Sequence, residues 1–308
     1  MGRYTIRRLL QMIPVIIGTT LLIFLMVWAL PGNPFAGRCG DRPCPESYIQ
    51  AMTQKFNLDE PWYVQYGIYM QNLVTGDFGE TFNGRQVIDE LARTYPTTVK
   101  LAALAILFEV VIGIAAGILA GLRRGGFVDN LVLLSTLFVI SIPIFVIGYI
   151  AQLIFGVQLG WFPVTVSSEA TLYELLLPAM VLAAGTLAYV ARVMRTNLVE
   201  NMRSDYVRTA IAKGMPRRRV VGVHTVRNSL IPVITLIGAD FGALLGGAIV
   251  TEGIFNIQGV GGLIFQSIRL REGALVTGAV TVLVLIFLLV NLFVDLLYAA
   301  LDPRIRYD

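Results

Sequence analysis

LAALAILFEVVIGIAAGILAGL, Leu101–Leu122, runs for 22 residues with one charged side chain, Glu109. As an α-helix it would extend about 33 Å at ~1.5 Å per residue, enough to cross the ~30 Å hydrocarbon layer of a bilayer. Five more apolar runs flank it, at residues 9–30, 131–157, 172–193, 230–250 and 274–298. The chain of 308 residues is 56% hydrophobic and 14% charged, and its mean hydropathy is +0.72. None of the runs alternates apolar and polar residues as a barrel strand must. The expected fold is an all-α membrane protein with six transmembrane helices in one integral domain. The first run follows Arg3, Arg7 and Arg8 as a signal peptide would. It is longer than the roughly 7–15 apolar residues of such a leader, and ALPGNP is a poor cleavage site, so it reads as an uncleaved anchor.

Basic residues orient the spans, because Lys and Arg accumulate in short cytosolic loops. Arg3, Arg7 and Arg8, the pair Arg123 and Arg124, nine residues between Arg192 and Arg227, and Arg304 with Arg306 account for 16 of the 24. Both termini are expected in the cytosol, with residues 31–97 as an extracytoplasmic cap and 196–229 as a cytosolic loop. The net charge of +4 is then a topological signal, and no basic groove with interleaved aromatics suggests nucleic acid. Within the cap, two short amphipathic helices flank LDEP, and Trp62, Tyr63, Tyr66 and Tyr69 are placed to anchor at the membrane interface. Cys39 and Cys44 form either a local disulfide or two free thiols; no second ligand pair makes them a metal site.

Glycines recur every fourth residue at Gly113, Gly117 and Gly121, and again at Gly238, Gly242 and Gly246. Such ridges let helix backbones approach closely in lipid. Charges inside the spans are few and expensive: Glu109, Asp240 and Asp295. Asp240 points away from its glycine ridge, so it and Glu109 are candidates for a translocation pathway, or Asp240 pairs with a buried polar neighbour. Asp295, one turn beyond Asn291, reads as structural.

Catalytic chemistry is thin. One histidine, His224, and the absence of HExxH, GxSxG, clustered Cys/His ligands and a P-loop argue against an enzyme and against a metal or nucleotide held by this chain.

The loop before the fifth run, SDYVRTAIAKGMPRRRVVGVHTVRNSLIP (Ser204–Pro232), has more order than a topological signal needs. Ser204 is placed to cap a helix that ends at Gly214, and Met215–Pro216 open a second one. Small residues at Thr209 and Ala210 mark it as a docking element, with Tyr206, Arg208, Lys213, Gly214 and Arg217 around them.

At these residues the chain resembles the permease subunits of bacterial ABC importers, in the dipeptide, oligopeptide and nickel branch. Arg208, Thr209, Ala210 and Gly214 fall on the family's EAAxxxG positions, with Arg208 in place of glutamate. His224, Val226 and Arg227 stand where the general pattern has Ile, Leu and Pro, and Pro232 follows five residues later. The likeness extends to LDEPWYVQY, GDFGETFNGRQV, TEGIFNIQGVGGL and ALDPRIRY. It implies a non-catalytic, multi-pass subunit of the bacterial plasma membrane that pairs with a second permease chain. Two cytosolic ATPases carrying ATP and Mg would drive it, and an extracytoplasmic binding protein would deliver peptide. Nickel or another small solute is the alternative cargo within the branch. A proton-coupled carrier titrating Asp240 or Glu109 is the rival from another class.

Overall fold

The structure, a computed structural model, describes residues 2–28, 44–81, 83–245 and 248–301. Cys39 and Gly246 lie outside them, so the Cys39–Cys44 pairing and the last position of the second glycine ridge do too; nor is the side chain of Asp295 described. In chain order the helices are α1 (Gly2–Trp28), α2 (Glu46–Lys55), α3 (Trp62–Val74), α4 (Val87–Phe108), α5 (Ile114–Leu122), α6 (Phe127–Ser141), α7 (Ile144–Ala151) and α8 (Leu172–Asn201). They continue as α9 (Asp205–Ala212), α10 (Arg217–Arg219), α11 (Arg227–Leu245), α12 (Ile249–Ile254), α13 (Val260–Arg269) and α14 (Gly273–Leu301). Three π-helical turns, Glu109–Gly113, Gln152–Gln158 and Val220–Val226, continue α4 into α5, extend α7, and join α10 to α11.

Five of these helical runs are long and apolar enough to span a bilayer, and α6 with α7 makes a sixth if that bent pair counts as one. The third run was expected to be continuous over 131–157. It is broken instead by a 103° bend between α6 and α7. Pro143 is the cause: proline disfavours helical backbone in the residue before it, and Ile142 is extended at φ −102°, ψ 129°. The second run is longer than expected, because its helix begins at Val87, inside the segment assigned to the cap, and passes through Pro96. Asp89 and Glu90 in the first turn favour that start through the helix dipole. Val87, Leu91, Thr98, Leu101, Ala102 and Ala105 then share one buried face.

Helix α8 is the central element. It opens on a capping box, in which the Thr171 hydroxyl accepts from the Glu174 amide while the Glu174 carboxylate accepts from the Thr171 amide at 2.9 Å. Along its length the first glycine ridge lies against it. A Cβ on Gly117 would sit 2.6 Å from the Ala191 carbonyl oxygen and 2.6 Å from Met194 Cβ. On Gly113 it would meet Val190 Cγ1 at 2.8 Å, and on Gly121 Leu198 Cδ2 at 2.9 Å. The second ridge is looser, since a Cβ on Gly242 meets Asn291 of α14 at 3.4 Å, an ordinary contact.

Two polar clamps fix the ends of the bundle. At one end Arg195 of α8 grips Asp129 of α6 bidentately, Nε to Oδ1 at 2.9 Å and Nη2 to Oδ2 at 2.7 Å, with Asp129 buried. At the other, the fully buried Glu252 of α12 accepts from the Thr98 hydroxyl at 2.9 Å and the Gly262 amide at 2.8 Å. The same Thr98 oxygen accepts from the Val260 amide at 2.9 Å, so α4, α12 and α13 meet on one carboxylate. Burial pushes the Glu252 carboxyl above its ordinary range, against the opposing pull of the Gly262, Thr98 and Gly261 donors.

The aromatic residues of α3 divide. Trp62 and Tyr63 are exposed, as interfacial anchoring requires. Tyr66 and Tyr69, expected to join them, turn inward: the hydroxyls of Tyr66 and Thr20 are 3.0 Å apart, those of Tyr69 and Thr281 are 2.6 Å apart, and both rings pack on Phe24. They bind α3 to α1 and α14. Burial lifts the Tyr69 phenol to about 12, consistent with a hydroxyl held neutral.

Candidate docking loop and intramembrane acidic pair

Between α8 and α11 the chain forms a helical hairpin. Ser204 is the residue before α9, as expected, but its side chain does not cap the helix; its hydroxyl donates back to the Asn201 carbonyl at 2.6 Å. At the far end of α9, Gly214 takes φ +75°. The Gly214 amide donates to the Ile211 carbonyl at 2.9 Å and the Met215 amide to the Ala210 carbonyl at 3.2 Å. This is the Schellman closure that a left-handed glycine permits, and Met215 completes it by packing against the hairpin interior.

That interior consists of Val207, Ala210 and Val220. Ala210 therefore faces its own hairpin, and its expected place on the docking surface is corrected: at three residues from Val207 it belongs to the inward stripe. The outward stripe is Asp205, Arg208, Thr209 and Ala212, at i, i+3, i+4 and i+7. Arg208 lies 3.5 Å from Asp205 along it, and the Thr209 hydroxyl donates to the Asp205 carbonyl at 2.9 Å. Ile211 and Ala212 are exposed as well. Tyr206, Lys213, Gly214 and Arg217 also lie at the surface, although the Tyr206 hydroxyl is engaged with Asn201 Oδ1 at 2.8 Å.

Deep in the bundle, Glu109 on the first π-turn is fully buried. Asp240 of α11 accepts from the Thr186 hydroxyl of α8 at 3.0 Å. Both Glu109 carboxylate oxygens and Asp240 Oδ2 are buried without a hydrogen-bond partner, in the region where α4 with its π-turn, α8 and α11 pack on one another. Gly238 lies two residues from Asp240 on α11 and is partly buried.

Among the described residues the fold is an all-helical bundle in which five or six helical runs are long and apolar enough to cross a bilayer, the form of a multi-pass membrane protein. The chain belongs to the family of binding-protein-dependent transport system inner membrane components, whose description matches residues 113–307, with its N-terminal counterpart matching residues 1–102. It is therefore a multi-pass protein of the bacterial inner membrane. Among its relatives is a dipeptide transport system permease protein of Alkalihalophilus pseudofirmus, 37% identical over 99% of both chains. Another is a glutathione transport system permease protein of Escherichia coli K12, 39% identical over the whole of both.

Proposed function

We propose that this chain is one of two membrane subunits of an ATP-driven importer for peptides. It forms half of the pathway beside a second permease chain, and both termini lie in the cytosol. The α9 hairpin seats in a groove of a cytosolic ATPase, and ATP and Mg are bound by the ATPases. A binding protein delivers the cargo from outside. Near full-length likeness to permeases for a dipeptide and for glutathione, itself a tripeptide, carries the assignment.

The geometry of α9 supports the docking role. A narrow outward stripe with small side chains at Thr209 and Ala212 lets a helix sit deep in a groove, and Arg208 adds a charge beside it. The hairpin behind the stripe is rigid, because the Schellman closure and the Val207–Ala210–Val220 cluster fix its shape. A rigid element can pass a rigid-body movement to the spans it joins. Glu109 and Asp240 keep their assignment to the pathway half contributed by this chain.

The test uses the four-chain complex reconstituted in vesicles with its binding protein, supplied with labelled di- and tripeptides. ATP should drive uptake. Ala212→Glu should leave the chain at normal levels in the membrane, yet reduce ATPase co-purification and uptake by at least about ten-fold, the scale expected when a residue at the centre of an interface is disrupted. Wild-type uptake and retention in Ala212→Glu would withdraw α9 as the docking element. Absence of ATP-dependent peptide uptake by the wild-type complex would withdraw the cargo.

A further inference from the structure

One side chain joins the docking hairpin to both spans that bracket it. Asn201 is the last residue of α8. Its Nδ2 donates to the Asn197 carbonyl at 2.9 Å and to Ser229 Oγ at 3.1 Å. Its Oδ1 accepts from the Tyr206 hydroxyl of α9 at 2.8 Å. Both amide hydrogens and the amide oxygen are thus engaged, the first on its own helix, the second on α11 and the oxygen on the docking helix.

The α11 arm continues inward. Ser229, fully buried, donates to the Thr225 carbonyl at 2.8 Å, and the buried Thr225 donates to the Val220 carbonyl at 3.0 Å. Val220 is the residue that packs against Val207 and Ala210 beneath the hairpin. The network therefore closes a ring from the hairpin through Asn201 to α11 and back along the π-turn to the hairpin. Without Asn201, α9 would still be tied to α8 by the short turn Met202–Ser204. Its remaining tie to α11 would then run through the π-turn Val220–Val226, whose i→i+5 hydrogen bonds interrupt the regular α-helical ladder.

We propose that Asn201 is the positioning residue that makes the docking helix and the fifth span move as one body, so that ATPase movement is converted into movement of the pathway. The proposal rests on the docking assignment of α9, and its test separates the two. Asn201 lies outside the outward stripe, so its removal leaves the docking face in place and loosens what stands behind it.

In the reconstituted complex, Asn201→Ala should retain the ATPases on the tagged permease at wild-type levels and hydrolyse ATP at the wild-type basal rate. The number of peptides imported per ATP hydrolysed should fall about five-fold, the equivalent of one hydrogen bond of average strength. Ser229→Ala cuts the α11 arm alone and should give a similar loss. The double variant should be no worse than Asn201→Ala, because the two substitutions remove the same link. An unchanged ratio of peptide to ATP in both single variants overturns the proposal. So does loss of ATPase retention in Asn201→Ala and Ser229→Ala, which would make the ring a support for the fold of the hairpin. Additive losses in the double variant overturn it as well. Failure of the wild-type complex to import peptide would instead count against the functional assignment.

Discussion

Gly117 is the position where a single methyl group should do most harm. A Cβ there lies 2.6 Å from both the Ala191 carbonyl oxygen and Met194 Cβ, short of a normal ~3.5 Å contact by about 0.9 Å. One of the two obstacles is backbone of α8, so no rotamer change relieves it. Relief would require the two helices to separate along a face where Gly113 and Gly121 also leave no slack. Overpacking of this kind costs about 1–3 kcal/mol, and the backbone obstacle argues for the upper part of that range. Replacing a helical glycine by alanine returns up to about 1 kcal/mol, which leaves Gly117→Ala destabilised by roughly 1–2 kcal/mol. Gly121→Ala should lose less, because its nearest obstacle is the rotatable Leu198 Cδ2. Gly67→Ala on α3 meets nothing within 4 Å and should be neutral or slightly stabilising. The assay is thermal unfolding of the detergent-solubilised complex carrying each variant, followed by size-exclusion fluorescence. Gly117→Ala as stable as Gly67→Ala would show that α5 and α8 do not touch there.

Three further outcomes follow from the clamps and the hairpin. Asp129→Asn strands Arg195 of a bidentate pair whose carboxylate is buried, so the same melt should show a loss of about 3 kcal/mol, with Arg195→Lys intermediate because it keeps the charge and loses the fork; wild-type stability in both would make the pair dispensable. Glu252→Gln leaves one oxygen for donors that now use two, Thr98 on Oε1 and Gly262 on Oε2, and should cost about 1–3 kcal/mol, a melt unchanged from wild type being the contrary result. Gly214→Val puts a β-branched residue at φ +75° in open space, so the penalty is backbone strain of about 1–2 kcal/mol and should appear as faster protease cleavage within 204–219; unchanged cleavage would refute the Schellman reading.

The helical class and the positions of most spans could be read from hydropathy because lipid demands long apolar helices whatever the tertiary contacts. The breaks were less legible. Pro143 lies inside an apolar run with no charged residue near it, and proline is tolerated in membrane helices often enough that its presence does not predict a bend; Pro14, Pro96, Pro178 and Pro232 all sit inside continuous helices. What separates Pro143 is local: Ile142 is extended and α7 starts anew. The start of the second span was hidden for the opposite reason. TYPTTVK has the composition of a loop, while the apolar face that holds it in a helix is spread over Val87, Leu91, Leu101 and Ala102, and two of these precede the apolar run.

At the α9 hairpin, spacing located the helix and left its orientation open. A family pattern assigns Thr209 and Ala210 together, as neighbours in sequence. On a helix adjacent residues are about 100° apart, so one can face out while the other faces in. Val207 decides between them: it is the large apolar residue of α9 that is fully buried, and the residue three positions on, Ala210, must share its face. The small side chain at 210 then serves close packing on Val220, and the small side chain at 212 serves the outer surface. Ala210→Glu and Ala212→Glu make the same chemical change two residues apart, and they should fail differently. The first forces a charge into the Val207–Val220 cluster and should make the hairpin susceptible to protease. The second should leave the hairpin protected and release the ATPases. Equal protection and equal ATPase retention in the two variants would mean that α9 has no inner and outer face, and the orientation derived from Val207 would have to be abandoned.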